Sequence, residues 1–263
     1  MYKIEWYIIV FFVAIVFSCW ASFLNMLEFR MNQESVIEPY RSYCPQCKKT
    51  IAWYDLIPIV SWLWLGGNCR TCKAPISVLY LVFEIVIPIV FTLFFFFVPV
   101  ANLAQRVVYF LFLSLLAIVT RSDLATMMIP TYATLQAIPF AFLSAAFGLL
   151  HVSLTQSIVG AVSGYLFLWT VAFGYRNYKG TDGIGEGDFD LLAMIGAFLG
   201  PVGWWSALMI GSSIGSAVAS IMMLFGTAGK ATRIPFGPFL SAGAVLYLFF
   251  AQQIQSYLFA THF

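Results

Sequence analysis

Charged side chains are scarce in this chain. Of its 263 residues, 13 are Lys or Arg and 11 are Asp or Glu, so that charged residues make up only 9%. An ordinary soluble domain has about 25% charged residues, whereas this chain is 62% hydrophobic and has a mean hydropathy of +0.91. The composition excludes a typical soluble domain and predicts a polytopic membrane protein. We therefore expect a lipid bilayer as a partner, and no nucleic acid.

A signal-peptide cleavage site is also lacking. The first apolar run follows Lys3 and Glu5, and no A-x-A-like site comes after it, so we interpret it as a retained helix. Further apolar runs approach the 17 to 25 residues that cross a bilayer. The expected fold class is an all-α polytopic membrane protein with about eight transmembrane helices, two of them short. The predicted spans are 6–27, 79–100, 107–118, 130–150, 158–175, 189–199, 204–225 and 235–259.

The basic residues predict which loops face the cytosol, because Lys and Arg concentrate in short cytoplasmic loops. If the N-terminus is outside, eleven of the 13 basic residues face the cytosol and only Lys3 and Arg106 lie outside. Both termini are then outside. Most of the polar sequence forms one cytosolic insert, residues 28–77, and we find no internal repeat or long linker. The predicted domains are the first helix (1–27), this insert, and a seven-helix membrane domain (78–263).

Four of the five cysteines form two pairs, CPQC and CRTC, separated by 21 residues within the insert. Two such pairs typically close a tetrahedral four-thiolate zinc site with no open ligand position. We therefore predict a structural zinc at Cys44, Cys47, Cys69 and Cys72. Disulfides are the alternative, and the predicted cytosolic side disfavours them.

Histidine is nearly absent: only His151 and His262 occur, and there is no HExxH motif. This excludes a metalloprotease built on that motif. Carboxylates remain as candidate catalytic groups, and Asp123 and Asp188 fall at the predicted cytosolic ends of membrane helices. Solvated loop positions are the alternative for both. The helix from Asp188 to Gly200 rises only about 18 Å, which favours a recessed position for Asp188.

Several ordered segments resemble the bacterial type IV prepilin peptidases, which are membrane aspartic proteases of the GxGD type. The resemblance covers almost the whole chain. It rests on SFLNMLEFR, the two cysteine pairs, ISVLYLVFEI, SDLATMMIP, GIGEGDFDLLAMIGAFLG and IPFGPFLSAG. One departure is Asp190, which stands where this family usually has lysine.

The resemblance implies an activity and a location. Asp123 and Asp188 match the two catalytic aspartates, and the paired cysteines match the family's zinc ligands. A basic leader is expected to be cleaved from prepilins or pseudopilins of type IV pilus or type II secretion systems. The new N-terminus is then expected to be methylated with S-adenosylmethionine, whose binding residues the sequence does not indicate. The expected location is the bacterial inner membrane, with the active site facing the cytosol.

Other roles stay open. Gly185 and Gly187 are candidate substrate-binding positions, because glycine lets a peptide backbone approach closely. Glu28 is either an interfacial charge or part of a substrate-facing site, and Gly237 either eases helix packing or admits substrate. Helix-end dipoles favour Asp188 as the base and Asp123 as the acid. The alternative function is a non-enzymatic membrane assembly factor that docks partners through its zinc module.

Overall fold

The computed structural model describes residues 2–31, 41–180, 183, 185–225 and 234–259. Within these ranges the chain is all-helical and has no β-strand beyond two isolated bridges, which confirms the predicted fold class. His262 lies outside the described residues. The α-helices of the described part are α1 (Tyr2–Met31), α2 (Val60–Trp64), α3 (Val78–Phe97), α4 (Leu103–Thr126), α5 (Thr131–Leu135), α6 (Ala137–Ala146), α7 (Leu154–Lys179), α8 (Glu186–Leu224) and α9 (Gly237–Phe259).

Six of these helices are long and apolar enough to cross a membrane, counting described residues only. They are α1, α3, α4, α7, α8 and α9. The predicted span 130–150 corresponds to the two short helices α5 and α6, and the predicted spans 189–199 and 204–225 both lie in α8. The predicted count of eight spans stays a prediction.

The first compact unit, Met1–Phe97, contains α1, the insert and α3. α1 and α3 pack along their length through aromatic side chains. The Trp6 and Phe96 rings lie 4.7 Å apart, and the Phe17 and Phe91 rings lie 5.6 Å apart. Hence the insert joins two helices that are themselves neighbours.

The second unit, Val98–Phe263, contains the remaining helices, and α8 is broken within it. Gly200 has φ 74° and ψ −174°, a conformation outside the helix that favours glycine, and Pro201 follows it. Leu192 before the break and Trp204 after it both lie against Gly164 of α7. The chain therefore turns back on itself at Gly200, as the sequence predicts.

The first half of α8 is the most enclosed segment of this unit. Every residue from Leu191 to Gly200 is buried. Gly196 meets Gly160 of α7 in direct backbone contact, because neither residue has a side chain to separate the helices. The start of α8 lies against Ile129, which follows the end of α4, and the candidate site lies there.

Candidate functional site

Two predicted site residues, Asp123 and Asp188, come together in the second unit. Asp123 lies in the last turn of α4 and is buried, and Asp188 lies in the first turn of α8 and is half-buried. The two carboxyl groups are close enough to interact electrostatically. Paired carboxyl groups at the ends of membrane helices are a chemically competent arrangement for activating water.

Gly237 holds one of the two carboxyl groups. Its backbone N–H, at the start of α9, donates a hydrogen bond of 2.9 Å to Oδ2 of Asp123. A Cβ added to Gly237 would lie 2.8 Å from that oxygen and 3.3 Å from Cδ1 of Ile129. Only glycine leaves room for this bond, which gives Gly237 a precise structural role at the site.

Ile129 lies between the helices that form the site. A Cβ on Gly187, next to Asp188, would be 2.8 Å from Cβ of Ile129. Ile129 therefore contacts both Gly187 of α8 and Gly237 of α9. The sequence alone indicates no role for Ile129, because an apolar residue after a helix end carries no chemical signal of its own.

A serine fixes the turn that carries Ile129. Met127 ends α4 in the left-handed region with φ 55°, and Oγ of Ser122 donates a hydrogen bond of 2.8 Å to the carbonyl oxygen of Met128. Ser122 is fully buried beside Asp123. Arg121, which the sequence assigns to a cytosolic loop, is instead a buried residue of α4.

A cavity of about 550 Å³ adjoins the start of α8. Gly185 contributes to its wall, and a Cβ on Gly185 would lie 3.6 Å from Oδ2 of Asp188, at ordinary van der Waals distance. Glu186 and Asp190 share one face of α8 and both line the cavity. Its other lining residues are Tyr165, Trp169, Ala172, Phe173, Arg176, Gly183 and Phe189.

The remaining predicted site residue, Glu28, belongs to the first unit. It is buried in the last turns of α1, at 3% exposure. The choice between an interfacial charge and part of a substrate-facing site stays a prediction. No role in the aspartate site follows from its burial.

The four paired cysteines form one cluster in the insert. The Sγ atoms of Cys44, Cys47, Cys69 and Cys72 all lie within 4.8 Å of one another, and those of Cys44 and Cys72 are 3.8 Å apart. A tetrahedral zinc with Zn–S bonds of about 2.3 Å has sulfur–sulfur edges of about 3.8 Å. All four cysteines are free thiols. The cluster therefore fits a metal ion with four thiolate ligands.

The two loops that carry the cysteine pairs share a backbone hydrogen bond, from the first cysteine to the residue five positions later. The N–H of Cys44 donates to the oxygen of Lys49 at 3.0 Å, and the N–H of Cys69 donates to the oxygen of Ala74 at 2.8 Å. Backbone N–H groups of Cys72 and Thr71 lower the pKa of the Cys69 thiol to about 6. These N–H groups thus favour the thiolate form of Cys69, whereas desolvation and the neighbouring thiols raise the pKa of Cys72 to about 11.

An ion pair ties the second cysteine loop to the preceding turn. Arg70 donates two hydrogen bonds to the carboxylate of Asp55, of 2.8 and 2.6 Å. The Arg70 guanidinium holds the pKa of Asp55 below its usual range. The ion pair is bidentate, so it fixes the relative orientation of the two side chains as well as their separation.

A helical membrane domain with an aspartate pair at its helix ends, joined to a four-cysteine module, defines a membrane aspartic peptidase with a metal-binding insert. Two family models match the chain: the Bacterial Peptidase A24 N-terminal domain over residues 15–98, and the Type IV leader peptidase family over residues 110–224. The chain belongs to the type IV leader peptidase family.

Curated relatives support this membership. The chain is 34% identical to a protein of Aeromonas hydrophila over 242 residues, covering 86% of this chain and 79% of that protein. It is 33% identical to a protein of Pectobacterium carotovorum subsp. carotovorum, covering 85% of this chain and 87% of that protein. Both relatives are named prepilin leader peptidase/N-methyltransferase. No solved structure matches the chain.

Proposed function

We propose that this protein is a membrane aspartic endopeptidase that removes the leader peptide from prepilins or pseudopilins and N-methylates the new N-terminal residue. The single observation that carries the peptidase proposal is the pairing of Asp123, held by Gly237, with Asp188. The proposal of methyltransferase activity rests on the names of the relatives. The expected location is the bacterial inner membrane, with the aspartates facing the cytosol and both termini outside.

In the proposed reaction the two aspartates share one proton. Asp188 removes a proton from water as the water oxygen attacks the scissile carbonyl carbon, and Asp123 gives its proton to the carbonyl oxygen. The resulting diol collapses when Asp188 returns the proton to the leaving nitrogen and a diol hydroxyl returns a proton to Asp123. Both carboxyl groups end as they began, so the cycle needs no other reactant.

The geometry supports a specific oxygen for the acid. Because Oδ2 of Asp123 accepts the hydrogen bond from Gly237, the proton that Asp123 donates is best carried by Oδ1. Asp188 in the first turn of α8 faces the positive end of the helix dipole, which favours its role as the base. A coupled pair titrates as a unit, so the two roles belong to the pair.

The cavity beside α8 is the proposed entry for substrate residues next to the cleaved bond. Gly185 presents bare backbone there, adjacent to Asp188, and Gly187 keeps the helix start close to Ile129. Glu186 and Asp190 supply negative charge to the same wall, which suits the basic leader that the family resemblance implies. Glu28 stays a candidate substrate-facing residue of the first unit.

The cysteine cluster is proposed to hold a structural zinc. Four thiolates complete a tetrahedral shell, so the ion has no position for water or substrate and supplies cross-linking, not catalysis. S-adenosylmethionine would supply the methyl group for the new N-terminal amine. We place that work mainly in the insert with the adjoining loops.

One experiment separates the proposed activities. Purified protein is incubated with a prepilin, with and without S-adenosylmethionine, and the products are weighed. We expect loss of the leader in both reactions and, with the cofactor, a further gain of one methyl group. Unchanged prepilin under both conditions would instead favour the assembly-factor alternative, and cleavage without any methylation would remove the second half of the proposal.

A further inference from the structure

The insert carries a run of exposed apolar side chains that a module surrounded by water would be expected to bury. Trp53 is 78% exposed and Trp64 is 82% exposed. Val60, Leu63 and Trp64 recur at positions i, i+3 and i+4, so they share one face of α2. We call this set the apolar edge of the insert; its members are Trp53, Leu56, Ile57, Val60, Leu63 and Trp64, all exposed.

A hydrogen bond fixes where α2, which carries part of the apolar edge, begins along the axis of α3. The backbone N–H of Ile59 donates to Oε2 of Glu84 at 2.8 Å, and Glu84 is buried, at 8% exposure. Glu84 is six residues after Val78, so it lies about 9 Å along α3 from the start of the helix. Because α2 begins directly after Ile59, its first residue lies at the level of the first turns of α3.

The backbone of Ile59 is strained, which indicates that its surroundings hold it in place. Ile59 has φ 63° and ψ −55°, in the positive-φ region that β-branched residues rarely adopt. Such a conformation costs about 1–3 kcal/mol and persists only where surrounding contacts impose it. The bond to Glu84 is one of the contacts that hold Ile59 here.

The start of α3 also carries exposed apolar side chains. α3 is long and apolar enough to cross a membrane, and its exposed residues begin at its first residue. A helix that spans a bilayer places such residues against lipid. Those of α3 that are exposed include Val78, Val82, Ile85, Val86 and Ile89.

The charge around the edge has the sign that favours anionic lipids. Residues 41–77 contain five basic residues and one acidic residue, a net charge of +4, and the whole insert, residues 28–77, has six basic and four acidic residues, a net charge of +2. Zinc with four thiolates adds −2, which leaves +2 for residues 41–77 and zero for the whole insert, so the attraction to anionic lipid rests on the local cluster of lysines. Lys48, Lys49 and Lys73 are exposed, and basic residues near a membrane surface are attracted by anionic headgroups. Trp side chains are typical of the same layer.

We propose that the apolar edge of the insert inserts into the interfacial layer of the bilayer, on the face where α3 begins, with anionic lipid headgroups around its lysines. The insert is then a membrane-embedded module and not one suspended in water. Its partner is lipid, and the inference does not depend on the peptidase or methyltransferase activity.

Photocrosslinking of the full-length protein tests this. A benzophenone amino acid replaces Trp64 in one variant, Leu63 in a second and Thr50 in a control; Thr50 is an exposed residue of the same insert outside the apolar edge. Each variant is reconstituted in vesicles of three parts phosphatidylcholine and one part phosphatidylglycerol, and zinc content serves as the check of folding. Mass spectrometry identifies the molecule that each probe captures.

We expect lipid adducts at positions 63 and 64 at least several-fold above those at position 50. Equal lipid labelling at all three positions would overturn the proposal. Capture of the second unit, or of a second copy of the chain, by positions 63 and 64 would also overturn it. If the variant at position 64 loses zinc, the variant at position 63 alone tests the proposal, because each probe occupies a separate exposed site.

Discussion

The N–H of Gly237 lies 2.9 Å from Oδ2 of Asp123, and no side chain fits between them. A residue at the start of α9 thus positions a carboxyl group at the end of α4. Replacing Gly237 by alanine puts a Cβ against that oxygen and removes the hydrogen bond. Leaving a buried carboxyl oxygen without its hydrogen-bond partner costs about 1–3 kcal/mol, so we expect cleavage to slow by roughly 5- to 150-fold. Gly174→Ala is the matched control, because no atom lies within 4 Å of the added Cβ there.

Substitution of the aspartates tests the proposed chemistry directly. Asp123→Asn and Asp188→Asn remove the proton exchange while keeping shape, so cleavage of prepilin should fall by at least about 10²-fold. Zinc content and thermal unfolding should stay as in the parent protein. Asp55→Asn, which alters only a carboxylate of the insert, should keep cleavage. Full activity in either of the first two variants would refute the mechanism.

Metal analysis tests the cysteine cluster. We expect one tightly held zinc per chain, and replacing Cys47 by serine should release it because three thiolates no longer close the shell. The amides of Cys44 and Cys69, hydrogen-bonded in the two loops, should then exchange faster with deuterium. A protein with no zinc, four free thiols and the same amide protection would contradict this prediction.

His151 gives the fold a defined dependence on pH. It stacks on Tyr109 with ring centroids 5.3 Å apart, Gln105 faces it at 3.5 Å, and burial lowers the pKa of the imidazole. The folded state therefore favours neutral His151. Its contribution to stability is present above about pH 6.5 and is lost as the pH falls through the lower pKa of the folded state.

Thermal unfolding at two pH values measures this contribution. The melting temperature should fall between pH 7.5 and pH 5.5, and it should fall less in His151→Gln, which cannot gain the proton. An identical decrease in both proteins would assign the effect to other groups.

A reporter fused after Phe263 tests the topology. An even number of spans with the N-terminus outside places the C-terminus outside as well. An alkaline phosphatase fusion should therefore be active, since it folds only outside the cytosol. Activity of a cytosolic reporter at the same position would break the predicted count of eight.

The sequence predicts those parts of the site whose chemistry leaves a pattern. Paired thiolates must come from closely spaced cysteines, and the cluster of Cys44, Cys47, Cys69 and Cys72 is confirmed as a possible metal site. The break at Gly200 is equally readable, because glycine followed by proline ends a helix. The catalytic roles of Asp123 and Asp188 stay predictions, although the fold brings the two residues together.

Other parts depend on packing and leave no such pattern. The contact of Ile129 with both Gly187 and Gly237 arises only when three helices meet. Burial of Arg121 in α4 also differs from its expected place in a loop, because the predicted span ends at residue 118 and the charge after it is assigned to the loop. In both cases the surroundings of the side chain are set by residues that are distant in the sequence.

The turn at Gly200 also constrains how the chain enters a membrane during synthesis. Before this turn, α8 has 14 residues from Glu186 to Leu199, a rise of about 21 Å against a hydrocarbon core of about 30 Å. Such a segment is too short to be released into lipid alone. We therefore expect both halves of α8 to enter the bilayer together, as one hairpin that packs against α7.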